Sequence, residues 1–298
     1  MATVLVLGVG GVLGEAWMWG YLGGAQEATG EDFRRAKQLI GTSAGSIVAA
    51  RLAGGEDPRR REERVRWDGE AEPERRPGAL RTAIERASRI SLGAFSPLAA
   101  PALMAATPGG ALARAAVLAR VPPGRIELRD LRSRVAALGP RFDGRLNVVA
   151  VDRGSGRRVA FGSDGAPHAA VADAVAASCA IPGFFAPVEI GGREYVDGGV
   201  WSPTNLDLAR AGRGDTVLCL VPTAAMGTAP ALAIRGLAAG WRVATSVEAA
   251  AARRRGARVE IVTPDAGSAR AIGTDLMNPG RRARVLAAGF AQGMARQG

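Results

Sequence analysis

The sequence of 298 residues predicts an α/β fold built on a largely parallel sheet with helices over both faces. Three observations carry this expectation. The chain opens on an apolar run, Thr3-Val4-Leu5-Val6-Leu7, that passes through glycines into a helical stretch; further short apolar runs alternate with helical segments; and Gly, Pro and Asp-Gly turns separate them. Such alternation favours parallel strands, because each helical crossover returns the chain to the same end of the sheet. A hydrophobic content of 47% is enough to bury one large core, so residues 1–298 read as a single domain with a helical insertion at about 56–140.

After the first strand comes Gly8-Val9-Gly10-Gly11-Val12-Leu13-Gly14, then a helix through Trp17, Trp19, Tyr21 and Leu22. A glycine loop between strand and helix presents backbone N–H groups to negative charge. As a dinucleotide fingerprint it matches in neither register: counting from Gly8 puts Leu13 in the third small position, and counting from Val9 loses the first glycine. What remains is Gly10-Gly11-x-x-Gly14, a set of sterically open donors suited to an oxyanion.

The next apolar run enters Gly41-Thr42-Ser43-Ala44-Gly45, a Gly-x-Ser-x-Gly pattern between strand and helix. At such an elbow the serine is held in a strained backbone conformation, and Gly41 and Gly45 leave out the Cβ atoms that would clash as the chain doubles back. Ser43 is therefore the candidate nucleophile, at the amino end of a helix that favours negative charge.

From 56 to 77 the chain is a dense mixture of Arg and Glu, which reads as a solvated helix with i,i+4 pairs. Between 88 and 121 Ala, Leu, Pro and Gly dominate, with Pro97, Pro101 and Pro108 interrupting any single helix. This segment reads as a helical cap that supplies an apolar slot for an acyl chain, or as ordinary helix packing. Residues 128–135 are amphipathic, 146–151 and 158–161 read as strands, and 168–178 as a small-residue helix that must end before Pro182. Runs at 188–190 and 193–196 around Gly191-Gly192 predict a hairpin, which delivers Asp197-Gly198-Gly199. A carboxylate at a strand end followed by two glycines is either a placed base or a plain Asp-Gly turn. Strands at 216–221 and 259–262 then flank a long helix at about 229–255, and 281–296 is a basic amphipathic helix.

The formal charge of +11 is carried almost wholly by arginine, Lys37 being the only lysine, and it invites anionic partners. No zinc finger, RRM signature or KH loop is present and aromatics are only 5%, so nucleic acid ranks behind an anionic membrane surface. Val285, Leu286 and Phe290 share one side of the last helix with arginines flanking them, a pattern suited to lying on such a surface, although packing on the sheet is the more common fate of such helices. Cys179 and Cys219 lie in no metal-ligand or C-x-x-C spacing, so no metal or disulfide framework is expected, and no cofactor. The amino end lacks a basic leader and no segment is long enough to span a bilayer, which reads as cytoplasmic, with peripheral contact at the inner membrane face.

Two kinds of machinery could activate Ser43. A triad would need His168, the only histidine, which precedes Asp197 in the chain; a dyad would have Asp197 take the proton directly. Four motifs in order, Gly10-Gly11-Val12-Leu13-Gly14, Gly41-Thr42-Ser43-Ala44-Gly45, Ala177-Ser178-Cys179-Ala180-Ile181-Pro182 and Asp197-Gly198-Gly199, resemble the patatin-like phospholipase family. The resemblance implies a three-layer α/β/α fold with a mostly parallel central sheet, and a serine-aspartate dyad that hydrolyses acyl esters without histidine or metal. By motif, Ser43 is the nucleophile, Asp197 the general base, and the N–H groups around Gly10, Gly11 and Val12 the oxyanion hole, with Gly14, Gly41, Gly45, Gly198 and Gly199 in support. Two positions depart from the family pattern: Leu13 stands where Arg or Lys is usual, and Val9 where glycine is usual. The expected substrate is a lipid or other carboxylic ester. The rivals are a patatin-fold lipid-binding protein without strong activity and a nucleotide-binding protein; the oligomeric state stays open.

Overall fold

A computed structural model describes residues 3–60, 108–228 and 232–296. Its centre is a sheet of eight strands, β1 (Thr3–Leu7), β2 (Gln38–Thr42), β3 (Leu146–Asp152), β4 (Arg158–Phe161), β5 (Val188–Ile190), β6 (Arg193–Asp197), β7 (Thr216–Leu220) and β8 (Arg258–Val262). The helices are α1 (Gly11–Thr29), α2 (Ala44–Ala53), α3 (Pro108–Arg120), α4 (Arg129–Ala137), α5 (Val171–Ser178), α6 (Leu232–Arg254), α7 (Ala266–Ile272) and α8 (Arg282–Met294). Strands pair in the order β5-β6-β3-β2-β1-β7-β8, with β4 also on β3. The pairs from β3 through β2, β1 and β7 to β8 are parallel, and β4, β5 and β6 are antiparallel additions.

The central strands are unbroken apolar runs because both faces are covered. Leu5, Leu7, Leu39, Val148, Ala150, Leu218 and Leu220 face a core shared with α1, α2 and α5. Their alternates Val4, Val6, Ile40, Val149, Val217 and Cys219 meet Leu206, Ala209 and the Ala249 and Ala252 face of α6. Period-two alternation thus feeds two cores, and the architecture is three-layer α/β/α.

α8 lies against α1 in near backbone contact: a Cβ at Gly24 would stand 2.1 Å from the Phe290 carbonyl oxygen, and one at Gly293 2.2 Å from that of Tyr21. The apolar side of the tail helix is therefore committed to protein, with Val285 fully buried and Leu286 and Phe290 partly so. Buried charges tie α1, α2 and α8 together. Arg51 donates to Glu15 at 2.8 Å and to Glu56 at 2.6 Å, its guanidinium lies 3.5 Å from the centroid of Trp19, and Arg282 pairs with Glu15 from the other side. Burial drives the Glu15 carboxyl upward, but Arg282 and Arg51 outweigh it and hold the pKa below the ordinary carboxylate value.

The charged run expected to be a solvated helix starts differently. Glu56 and Asp57 are buried, Glu56 on Arg51 and Asp57 accepting from Gln26 at 3.1 Å; residues 61–77 lie outside the described residues. Of the insertion expected at about 56–140, residues 61–107 also lie outside them. Its described part is built into the domain: Leu118 of α3 packs with Val151, Val196 and Val200, and Leu131 and Val135 of α4 join the main core. The helix expected from 168 begins at Val171, its first buried residue, because with no capping side chain its start is set by packing.

Candidate active site

Two strands meet end to end at the site. Val148 and Val149 of β3 pair with β2 on one edge and β4 on the other, while Ala150 and Val151 pair with β4 and β6. β6 therefore continues along the edge that β2 leaves, with Thr42 opposite Val149 and Asp197 opposite Ala150. The chain turns out of β2 at Ser43 where Asp197 arrives from the other direction. A Cβ at Gly198 would stand 2.4 Å from the Val149 carbonyl oxygen and 3.1 Å from the Thr42 methyl, so this meeting needs glycine after the aspartate.

Ser43 has φ 52° and ψ −122°, a region that side chains rarely adopt. The surroundings hold it there. Its N–H donates to Ser178 Oγ at 2.9 Å, its carbonyl accepts from the Ser46 N–H at 2.8 Å and from Ser46 Oγ at 2.6 Å, and Ser178 Oγ donates on to the Val149 carbonyl at 2.6 Å. A Cβ at Gly45 would stand 2.0 Å from the Leu7 carbonyl oxygen, and one at Gly41 2.5 Å from Ser46 Cα. Both elbow glycines are required because α2 crosses β1 and β2 with no room for a methyl group.

Asp197 is 5% exposed. Burial pushes its carboxyl up to about 7, against the pull of hydrogen bonds to its anion from the Gly199 N–H and the Ser43 side chain. The Gly199 bond is 2.7 Å, and the Asp197 N–H is held at 3.0 Å by the carbonyl of Ala180. The small-residue motif at 177–182 thus brackets both partners: Ser178 anchors the serine and Ala180 the aspartate. Cys179 between them is buried beside Ser46, and burial followed by the Asp197 charge drives its thiol well above the ordinary range.

The glycine loop leaves β1 alongside the elbow, since Leu7 is opposite Gly41. Among the described residues, the N–H groups of Gly10, Gly11 and Val12 donate to no protein acceptor, whereas those of Leu13 and Gly14 donate to Leu276 and Gly10. Gly10 and Gly14 pack on Pro222, with a Cβ at either standing within 2.9 Å of its ring. Val9 lies over Gly199, and Leu13 is fully buried in the core, so both departures from the expected loop pattern are packing residues.

Residues 5–210 match the family model of patatin-like phospholipases. The chain belongs to the patatin-like phospholipase family. Among solved structures it is similar to VipD from Legionella pneumophila, at 15% identity and a TM-score of 0.43 over 98% of this chain and 66% of that one, so it spans just under two thirds of that structure's length. No curated protein matches it in sequence. The general activity of the patatin-like phospholipases is lipid acyl hydrolysis.

His168 is exposed, in the segment before α5, while Ser178 at the other end of that helix holds the elbow. Eight helical residues separate the two ends by about 12 Å. Among the described residues no three of His, Cys, Asp and Glu gather as metal ligands, and no helix is long and apolar enough to cross a membrane.

Several supporting residues escaped sequence reasoning. Asn205, at φ 53°, donates to Thr42 Oγ1 at 3.0 Å and so braces the residue before Ser43. Its turn is held by Glu248 of α6, which accepts from Thr204 Oγ1 at 2.9 Å and from the Leu206 N–H at 2.8 Å, and whose carboxyl is driven upward chiefly by burial. Ser178, by contrast, was visible in the sequence as part of the 177–182 motif.

Proposed function

We propose that this protein hydrolyses carboxylic esters of lipids through an acyl intermediate on Ser43, with Asp197 as general base and the Gly10, Gly11 and Val12 N–H groups as oxyanion donors. One observation carries the reading: a buried carboxyl pushed up to about 7 stands at a strained serine, beside three backbone donors without acceptors among the described residues. A base with its pKa near the working pH combines a large deprotonated fraction with useful basicity, which an aspartate near 4 lacks.

Asp197 accepts the Ser43 proton as Oγ attacks the ester carbonyl carbon, and the carbonyl oxygen takes its charge among the loop N–H groups. The tetrahedral intermediate collapses, the alcohol leaves with the proton from Asp197, and an acyl-serine remains. Water then gives a proton to Asp197 and attacks the acyl carbon; the Ser43 ester bond breaks, the acid departs, and the proton returns to Ser43. The Val9 and Leu13 substitutions leave the donors in place, which favours an enzyme over a binding protein without turnover.

Ser43→Ala tests this with a short-chain chromogenic ester and with a fluorophosphonate that labels activated serines. Loss of both signals with unchanged circular dichroism is expected; near-native turnover would remove the assignment. The proposal extends to the chain acting as one domain, cytoplasmic and peripheral at anionic membrane, where the charge of +11 would favour docking.

A further inference from the structure

The oxyanion loop is gripped by a segment that lies outside the family match of 5–210. The peptide unit joining Val12 to Leu13 is bonded at both polar ends by residues from the other end of the chain. The Leu13 N–H donates to the Leu276 carbonyl at 3.0 Å, and Arg282 Nη1 donates to the Val12 carbonyl at 3.2 Å. Met277 covers the residue before: a Cβ at Gly11, where φ is +59°, would stand 2.7 Å from its Sδ and 2.9 Å from the Leu276 carbonyl oxygen. The turn that presents these groups is itself pinned, since Asp275 Oδ1 accepts the Met277 N–H at 3.0 Å. Arg282 is fixed in turn by its ion pair with the buried Glu15, one turn further along α1.

A helix start leaves about four N–H groups without intrahelical partners. Here the Leu13 N–H is consumed by Leu276, while those of Gly10, Gly11 and Val12 have no acceptor among the described residues. We propose that the Leu276–Arg282 segment is a positioning clamp that sets the direction of the Gly10, Gly11 and Val12 N–H groups toward the oxyanion formed at Ser43. Leu276, Met277 and Arg282 touch the loop rather than the reacting atoms, so they are positioning residues. Electrostatic stabilisation depends on donors fixed before the charge develops; loosening the loop should therefore weaken the transition state more than substrate binding.

The inference rests on the Ser43 reading, and the experiment separates the two. Arg282→Met, Arg282→Lys and Asp275→Ala are compared with the native chain for kcat, KM, fluorophosphonate labelling rate and hydrogen exchange of the peptide covering 8–14. Removing a whole oxyanion donor costs about 10²–10³ in kcat, so Arg282→Met should lose roughly 10- to 100-fold in kcat, with KM within about twofold. Labelling should slow in parallel, exchange at 8–14 should quicken, and Arg282→Lys should recover part of both. Asp275→Ala, away from the Arg282–Glu15 ion pair, should show the same pattern more weakly, and it decides the matter if Arg282→Met does not fold. Native kcat in the variants, or unchanged exchange at 8–14, would overturn the clamp. So would equal falls in kcat and thermal stability with quickened exchange throughout the chain. If the native chain neither turns over ester nor labels, the Ser43 reading fails; exchange at 8–14 then still decides whether this segment holds the loop.

Discussion

Replacing Asp197 by Asn should make the protein more stable and inactive at once, with a gain that depends on pH. The side chain is 5% exposed, and its carboxyl is raised from an ordinary 3.8 to about 7. A carboxyl raised on folding is held protonated by the native state, so native protein binds more protons than unfolded protein between those two values, and stability falls as pH rises through that window. A difference of roughly 3 in pKa corresponds to about 4 kcal/mol of cost, absent below pH 4 and complete above pH 7. Asparagine keeps an acceptor for the Gly199 N–H but cannot ionise, so that cost disappears. Between pH 5 and pH 8 the advantage of Asp197→Asn should grow by roughly 2–3 kcal/mol. With about 2.1 cal/mol/K of unfolding entropy per residue, the gap in Tm should widen by about 4 °C. Thermal unfolding of both proteins followed by circular dichroism at the two pH values reads this directly, and ester turnover of the variant should be lower by at least about 10³. An equal gap at both pH values, or a variant less stable at pH 8, would mean that Asp197 does not carry a buried charge at neutral pH, and the argument for it as a tuned base would fall.

The pH profile of kcat/KM should rise through a single ionisation with its midpoint near 7, and His168→Ala should leave both the midpoint and the rate in place; a lost rate at native Tm would restore a triad. Ser43→Gly should abolish turnover yet gain about 1–3 kcal/mol in denaturant melts, because glycine tolerates φ 52° without strain. Binding to phosphatidylglycerol vesicles should fall sharply with salt and exceed binding to phosphatidylcholine vesicles, since surface charge is screened over about 10 Å at 0.1 M. Equal co-sedimentation with both lipids would remove electrostatic docking.

The sequence by itself determined the alternation of strands and helices, the elbow at Ser43, the glycine loop and the Asp-Gly-Gly turn, because each is a local demand of the backbone. A glycine where no Cβ fits, a proline where no helix continues and an apolar run buried on both faces are written residue by residue. Tertiary structure decided everything that needs two distant segments. That Asp197 meets Ser43 follows from β6 sharing an edge of β3 with β2, a register that no local pattern states. The raised carboxyl depends on burial, which only the folded chain supplies. Glu56 and Asp57 read as surface charge until Arg51 and Gln26, from other elements, bury them. The amphipathic periodicity of the tail helix specifies an apolar side and leaves its partner open; Gly20, Gly24, Gly289 and Gly293 let α1 and α8 approach in near backbone contact. Leu276 and Arg282 lie more than 260 residues from the loop they hold, and only the folded chain brings a carbonyl and a guanidinium to opposite ends of one peptide bond.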